Sequence, residues 1–165
     1  MSVENAALPV VVTTERLQLR LWDAGEAAAV RVGERRPDFH ADFPRQDDRD
    51  AATLWREGDP WGPRSIVRGV TVLGSIGFFG PPQAADDGVP EAEVGYGLVE
   101  EARGWGFATE ALRGLLAFTD DAGVRVRASV SPDNPASIRV LAKAGFTSLR
   151  GTDEDGHLVF ARPLD

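Results

Sequence analysis

Residues 92–118, AEVGYGLVEEARGWGFATEALRGLLAF, decide the reading of the chain: a strand, a short glycine-rich turn, then a helix. From Glu93 to Val99 the side chains alternate, with Val94, Tyr96 and Leu98 on one face and Glu93, Gly95, Gly97 and Val99 on the other. The first face reads as core. The second carries a carboxylate beside two residues without side chains, and glycine inside a strand often marks a bulge or a close approach by backbone or ligand. After Glu100, Glu101 and Ala102 comes RGWGFA, Arg103 to Ala108. Ala108, Ala111, Leu112, Leu115 and Leu116 then follow at helical spacing.

A glycine-rich turn that opens a helix presents backbone N–H groups with no intrahelical acceptor, at the positive end of the helix dipole. That is an anion site, and phosphate is its common guest. Arg103 adds a fixed charge and a fork of donors. The same glycines would also serve a tight turn that binds nothing. Two other phosphate motifs fail on the residues. A P-loop requires Lys and Ser or Thr after its last glycine, where Phe107, Ala108 and Thr109 stand. A dinucleotide fingerprint counted from Gly104 requires Gly or Ala where Thr109 stands, and an acidic residue ending a second strand.

The stretch resembles the acetyl-CoA-binding segment of the GNAT acyltransferase superfamily, Q/R-x-x-G-x-G/A, which Arg103, Gly106 and Ala108 fill without a gap. Two further segments carry the resemblance. TTERLQLR (Thr13 to Arg20) is similar to the opening strand of the ribosomal-protein-alanine (RimJ/RimL-like) acetyltransferases. NPASIRVLAKAGF (Asn134 to Phe146) is similar to their second signature, N-x-x-S before a helix that ends in G-F. The three stand in the family's order, and together they reach from Thr13 to the chain's end.

The rest of the chain reads as one domain spanning 1–165, with residues 1–9 a loose end. A strand covers Leu17 to Leu21, and Asp23 caps a helix through Arg31. A second helix is expected from about Asp48 to Glu57, carrying Leu54 and Trp55. Ser65 to Phe79 reads as two strands meeting near Arg68 and Gly69, and Gly80 to Ala92 as a loop. The helix of the opening stretch ends near Asp121, Val124 to Val130 is a strand, and Asn134 caps a helix with Pro135 at its first position. Two strands, about Thr147 to Gly151 and His157 to Arg162, close the chain. This order is not a regular βα alternation, which argues against a doubly wound parallel sheet. It matches an α+β GNAT fold. The resemblance implies a mostly antiparallel twisted sheet flanked by about four helices and splayed between its fourth strand (Glu93 to Val99) and its fifth (Val124 to Val130).

The chain has no cysteine, so disulfides and thiolate metal sites are excluded; His40 and His157 have no ligand spacing, and no metal is expected. No apolar run reaches the length of a membrane span, and the start lacks the basic flank of a signal peptide, so a cytoplasmic protein without membrane contact is expected. The net charge of −8 argues against a nucleic-acid partner and suits a cationic substrate, although an acidic surface also serves solubility alone.

The resemblance implies acetyl-CoA as co-substrate, an amine acceptor (a protein N-terminus or a small amine), and direct attack in a ternary complex. It leaves a homodimer open. Leu98 and Val99 match the positions that pair with the pantetheine arm, from which a backbone N–H would polarise the thioester carbonyl. Arg103, Gly104, Trp105, Gly106, Phe107, Ala108 and Thr109 would hold the pyrophosphate. Glu93 is the candidate base and Glu91 its backup, with a solvated edge carboxylate as the bland alternative. Many relatives carry a tyrosine four residues before the Gly of G-F, where this chain has Leu141. The ribosomal-type subgroup has the Ser of N-x-x-S instead, here Ser137, which is the candidate acid, and two compatible roles are open to Asn134, capping its helix and contacting the pantetheine arm. Phe39, His40, Phe43 and Trp61 lie in the region that overhangs the acceptor pocket in the family, or are aromatics pinned to the core. The missing tyrosine keeps a second reading in view, a non-catalytic acyl-CoA-binding sensor or interaction domain.

Overall fold

The structure, a computed structural model, describes residues 8–164. The expected loose end therefore lies, for residues 1–7, outside the described residues. Leu8, at its edge, is buried, and the carbonyl of Pro9 accepts a hydrogen bond of 2.6 Å from the buried Arg64.

The described residues form β1 (Val11–Thr13), β2 (Gln18–Leu21), α1 (Ala24–Val32), α2 (Gln46–Ala52), β3 (Arg64–Arg68), β4 (Thr71–Phe78), β5 (Gln83–Ala84), β6 (Pro90–Leu98), a 3₁₀ turn (Glu100–Ala102), α3 (Phe107–Asp121), β7 (Arg125–Val130), α4 (Pro135–Lys143), β8 (Ser148–Thr152) and β9 (Leu158–Arg162). The sheet runs β1-β2-β3-β4-β6-β7-β9-β8, with β5 lying against the start of β6. Every strand pairing in it is antiparallel except that of β6 with β7. This is the open, mixed α+β sheet that the element order implied. Among the described residues no helix is long and apolar enough to cross a membrane.

The β6–β7 junction positions the site. β6 pairs with β7 only at Glu91 to Glu93, opposite Arg125 to Arg127, whereas it pairs with β4 from Val94 to Leu98. Beyond Glu93 the two parallel strands diverge, and β7 continues against β9 as far as Val130. Among the described residues, one edge of β6 has no strand partner where the sheet opens.

The helices follow their local signals. Asp23 caps α1 by accepting from the Glu26 N–H at 2.8 Å, and Gly33 ends it in the left-handed region. Asn134 caps α4 by accepting from the Ser137 N–H at 3.1 Å, with Pro135 at the first position. α3 buries Phe107, Ala111, Leu112, Leu115 and Leu116 in the core.

Three boundaries differ from the sequence reading. α2 stops at Ala52, so Leu54 and Trp55 lie beyond the helix, and Trp55 is held instead by its indole N–H on the Trp22 carbonyl at 2.8 Å. The expected loop Gly80 to Ala92 contains β5 and the first three residues of β6, because Pro90 is tolerated as the first residue of a strand. The short strand β1 adds to the edge before β2.

Candidate active site

At the turn, Gly104 and Gly106 both have φ in the left-handed region, at 83° and 82°. A Cβ at Gly104 would meet nothing within 4 Å, and one at Gly106 only Arg16 Nη2 at 3.4 Å. The backbone thus requires glycine and leaves open space above it. Gly106 is the N-cap of the fifteen-residue α3 and has no side chain to satisfy the first amides. Arg103 Nε donates to the Leu98 carbonyl at 3.1 Å, which ties the turn to the end of β6. Arg16 donates to the Trp105 carbonyl at 3.0 Å, and Arg16 and Arg68 both stack on the Phe107 ring, 4.6 and 4.8 Å from its centroid. Arg16 and Arg68 therefore stand at the first residue of a helix whose N-cap has no side chain, Arg16 being also paired with Glu110 of that first turn at 2.6 Å, and the free amides beside these cations fit a pyrophosphate. Phe107 and Thr109 are buried, Ala108 is half-buried, and Trp105 is exposed. Nothing in the sequence signalled Arg16 and Arg68, because the β1–β2 connection and the end of β3, far along the chain from the turn, supply them.

A cleft of about 670 Å³ gathers Glu93, Tyr96, Ser137 and Leu141, together with Arg45 and Ser75. Its lining also includes Asp47, Asp50, Asp153 and Asp155. The structure thus brings the candidate base and the candidate acid to one cavity. Tyr96, assigned to the core face by alternation, is only half-buried, and its hydroxyl lies 2.8 Å from Ser137 Oγ. Burial raises the phenol above its usual pKa, and the Ser137 hydrogen bond offsets part of that. A phenol hydroxyl thus stands in the cleft beside Ser137, where Leu141 supplies none. The signal available in the sequence was a lone tyrosine between two glycines.

The two carboxylates differ sharply. Glu91 is buried and receives Arg125 Nε at 2.6 Å, Arg127 Nη1 at 2.7 Å and Arg150 Nη2 at 2.6 Å. Burial alone would raise its carboxyl, but hydrogen bonds from Arg150, Arg125 and Arg127 outweigh it and hold the pKa at about 2. A carboxylate so clamped is a poor proton acceptor at neutral pH, which removes Glu91 as a backup base. Among the described residues Glu93 has a single ion pair, to Arg127 Nε at 3.1 Å; it keeps a quarter of its side chain exposed and lines the cleft. Arg127 bridges the two.

The backbone of β6 divides its donors between its two sides. The Glu93 carbonyl accepts from the Phe79 N–H at 2.9 Å, and the Val99 N–H donates to the Leu73 carbonyl at 2.8 Å. Odd-numbered residues therefore spend their backbone groups on β4, and those of Tyr96 and Leu98 point to the open edge. The amide of Val99 is already engaged and its side chain fully buried, so of the candidates Leu98 and Val99 only Leu98 turns its N–H to the open edge.

The aromatic candidates for acceptor contact are placed elsewhere. Phe39 and Phe43 pack edge to face at 4.8 Å, Trp61 packs on Phe78 at 4.9 Å, and all three are buried in the core. None of them lines the cleft, because the Pro-broken segment turns its aromatic side chains inward. His40 pairs with Glu101 through Nε2 at 2.9 Å, also outside the cleft.

Residues 16–147 match the family model described as an acetyltransferase (GNAT) domain. No curated protein matches the chain significantly. Among solved structures, RimL, the ribosomal L7/L12 alpha-N-protein acetyltransferase in complex with coenzyme A, is similar at 19% identity and a TM-score of 0.68, over 94% of this chain and 98% of that one. An acetyltransferase from Agrobacterium tumefaciens is similar at 23% identity and a TM-score of 0.67, over 95% of both chains. Mycobacterium smegmatis RimJ in complex with CoA-disulfide is similar at 23% identity and a TM-score of 0.64, over 93% of this chain and 87% of that one.

Proposed function

The chain belongs to the GNAT acetyltransferase family, and from that premise we propose that it transfers the acetyl group of acetyl-CoA to a primary amine by direct attack in a ternary complex. The acceptor is a protein N-terminus or a small amine. One observation carries the reading: a single cleft at the splayed edge of β6 holds a lightly paired carboxylate, Glu93, and a hydroxyl pair, Tyr96 with Ser137. The acidic lining suits a cationic acceptor.

Acetyl-CoA supplies an activated acetyl group as a thioester, and residues 103–109 with Arg16 and Arg68 hold its phosphates. Glu93 takes the ammonium proton, directly or through water, and frees the nitrogen lone pair for the carbonyl carbon. The C–N bond forms as the C–S bond breaks, and the nitrogen, which still carries two protons on attack, gives one to water, balancing the proton that goes to sulfur. The Leu98 N–H stabilises negative charge on the carbonyl oxygen during that exchange. The Tyr96–Ser137 pair delivers a proton to the departing sulfur, so base and acid act from the two faces of one strand. The sensor reading drew on the missing hydroxyl at Leu141, and Tyr96 weakens it.

The test follows thiol release from acetyl-CoA over a panel of peptides and small amines. Release with at least one amine, lost in Glu93→Gln, supports the reading. Tight acetyl-CoA binding with no release from any amine would favour the sensor instead.

A further inference from the structure

Arg45 is the one cation among the described residues that line the cleft apart from the titratable His157, and it is built in rather than draped over the surface. It stands at the N-cap of α2, where a short oxygen-bearing side chain would be usual. Its backbone N–H and its Nε donate to Asp48 Oδ2 at 2.8 and 3.1 Å, and its Nη2 donates to Asp48 Oδ1 at 2.9 Å. Asp48 is fully buried and accepts a further hydrogen bond from Ser75 Oγ. The guanidinium is therefore locked before any ligand arrives, and binding to it costs little side-chain ordering.

Asp48 occupies the Nε/Nη2 edge of the fork. A guanidinium has five N–H donors, so two spent on Asp48 leave three, and these have no partner among the described residues. The free Nη1/Nη2 edge matches the geometry of a second carboxylate. The strand beneath is shaped to admit the group: a Cβ at Gly97 would fall 2.2 Å from Arg45 Nη2 and 2.6 Å from Nη1. Any side chain at position 97 would expel the guanidinium.

Gly97 precedes Leu98, whose amide faces the splay, and lies on the same face of β6 as Glu93. An amine that reaches the reacting carbonyl beside Leu98 stands next to Arg45. We infer that Arg45 binds a carboxylate carried one or two carbons from the reactive amine, so that the acceptor is an amino acid and not a protein N-terminus. This inference rests on the acetyltransferase reading. An N-terminus has an amide carbonyl at that place, which cannot occupy both donors of a charged fork as a carboxylate does. Asp47, Asp50, Asp153 and Asp155 repel a second negative charge, so the acceptor is a zwitterion with a neutral or basic side chain.

The experiment measures binding calorimetrically on the CoA-loaded protein, using the standard α-amino acids, their carboxamides and short peptides, and follows thiol release from acetyl-CoA with the same acceptors. At least one neutral or basic amino acid should bind about tenfold or more tighter than its carboxamide, as expected when a charge-assisted pair is lost. Arg45→Met/Asp48→Asn, which removes both charges together, should bring the two within about twofold. Arg45→Lys keeps a cation for Asp48 but lacks the second edge, and it should lose the preference with the fold retained. The inference is overturned if no amino acid binds, if carboxamides or peptides bind as tightly, or if the preference survives in both variants. Carboxylate-dependent binding without thiol release would keep this site and retire the acetyltransferase reading. Thiol release that ignores the carboxylate would do the reverse.

Discussion

The Tyr96 hydroxyl lies 2.8 Å from Ser137 Oγ, so β6 and the first turn of α4 are joined at the edge where β6 has left β7. Tyr96 arrives from the strand and Ser137 from the helix that Asn134 caps. Burial raises the phenol's pKa above its usual value, so in the proposed mechanism Tyr96 would be the proton source that replenishes Ser137. Leu141, also in the cleft, is an apolar wall and supplies no proton.

If the two hydroxyls act as one donor, their removal is not additive. Tyr96→Phe and Ser137→Ala should each lower kcat by roughly ten- to a hundredfold, at the low end of general-acid effects because a thiol is a fair leaving group. The double variant should be no worse than about the weaker of the two single variants. Steady-state kinetics at saturating acetyl-CoA checks this. A Ser137→Ala protein whose KM for acetyl-CoA rises while kcat holds would make Ser137 a cofactor contact.

For Glu93, replacement by Gln keeps the shape and removes the proton acceptor. Turnover at neutral pH should fall by roughly 10²- to 10⁴-fold with acetyl-CoA affinity nearly intact. The loss should shrink as pH rises toward the acceptor's own pKa, where free amine needs no base. A pH–rate profile of both proteins decides it, and full activity of the variant at pH 7 would rule Glu93 out.

What the sequence could and could not show follows from how far each signal reaches along the chain. The turn at Arg103 to Ala108, the caps Asp23 and Asn134 and the alternation of β6 are local patterns, and they were legible. The clamp on Glu91 was not, since Arg125, Arg127 and Arg150 reach it only because β6 and β7 pair in parallel and β8 folds back on β9. Arg45 was missed for the same reason: its meaning depends on Gly97, fifty-two positions along the chain (97 − 45). Tyr96 was assigned to the core because alternation assumes a partner layer on each face, and at the splay that assumption fails. Phe43 and Trp61 had two readings open, acceptor contact or aromatics pinned to the core, and their burial fits the second, the commoner fate of large aromatics.

At the phosphate turn, strain has to be separated from ligand contact. Gly106→Val should abolish acetyl-CoA binding, and at φ of 82° it should also cost about 1–3 kcal/mol of stability. Gly123→Val supplies the control: its φ is 70° and no atom lies within 4 Å of a Cβ there, so it bears similar strain far from the turn. Thermal melts should shift comparably for the two variants, whereas calorimetric titration with acetyl-CoA should fail only for Gly106→Val. Retained affinity in that variant would remove the turn as the phosphate site.

The last prediction concerns Glu91 as a structural anion and carries a pH signature. Its folded pKa of about 2 lies below the ordinary glutamate value of about 4.3, so its contribution to stability is complete above that value and is lost as pH falls toward 2. Glu91→Gln leaves three guanidinium groups without their shared anion, which should cost about 3 kcal/mol at pH 7. At roughly 2–4 °C per kcal/mol for a chain of this size, Tm should drop by about 6–12 °C. The gap between wild type and variant should narrow steadily below pH 4 and close near pH 2, because protonation then removes the same charge from the native protein. Turnover at 25 °C should fall far less than in Glu93→Gln. A Tm gap independent of pH would mean that the Glu91 side chain acts through packing and not through its charge.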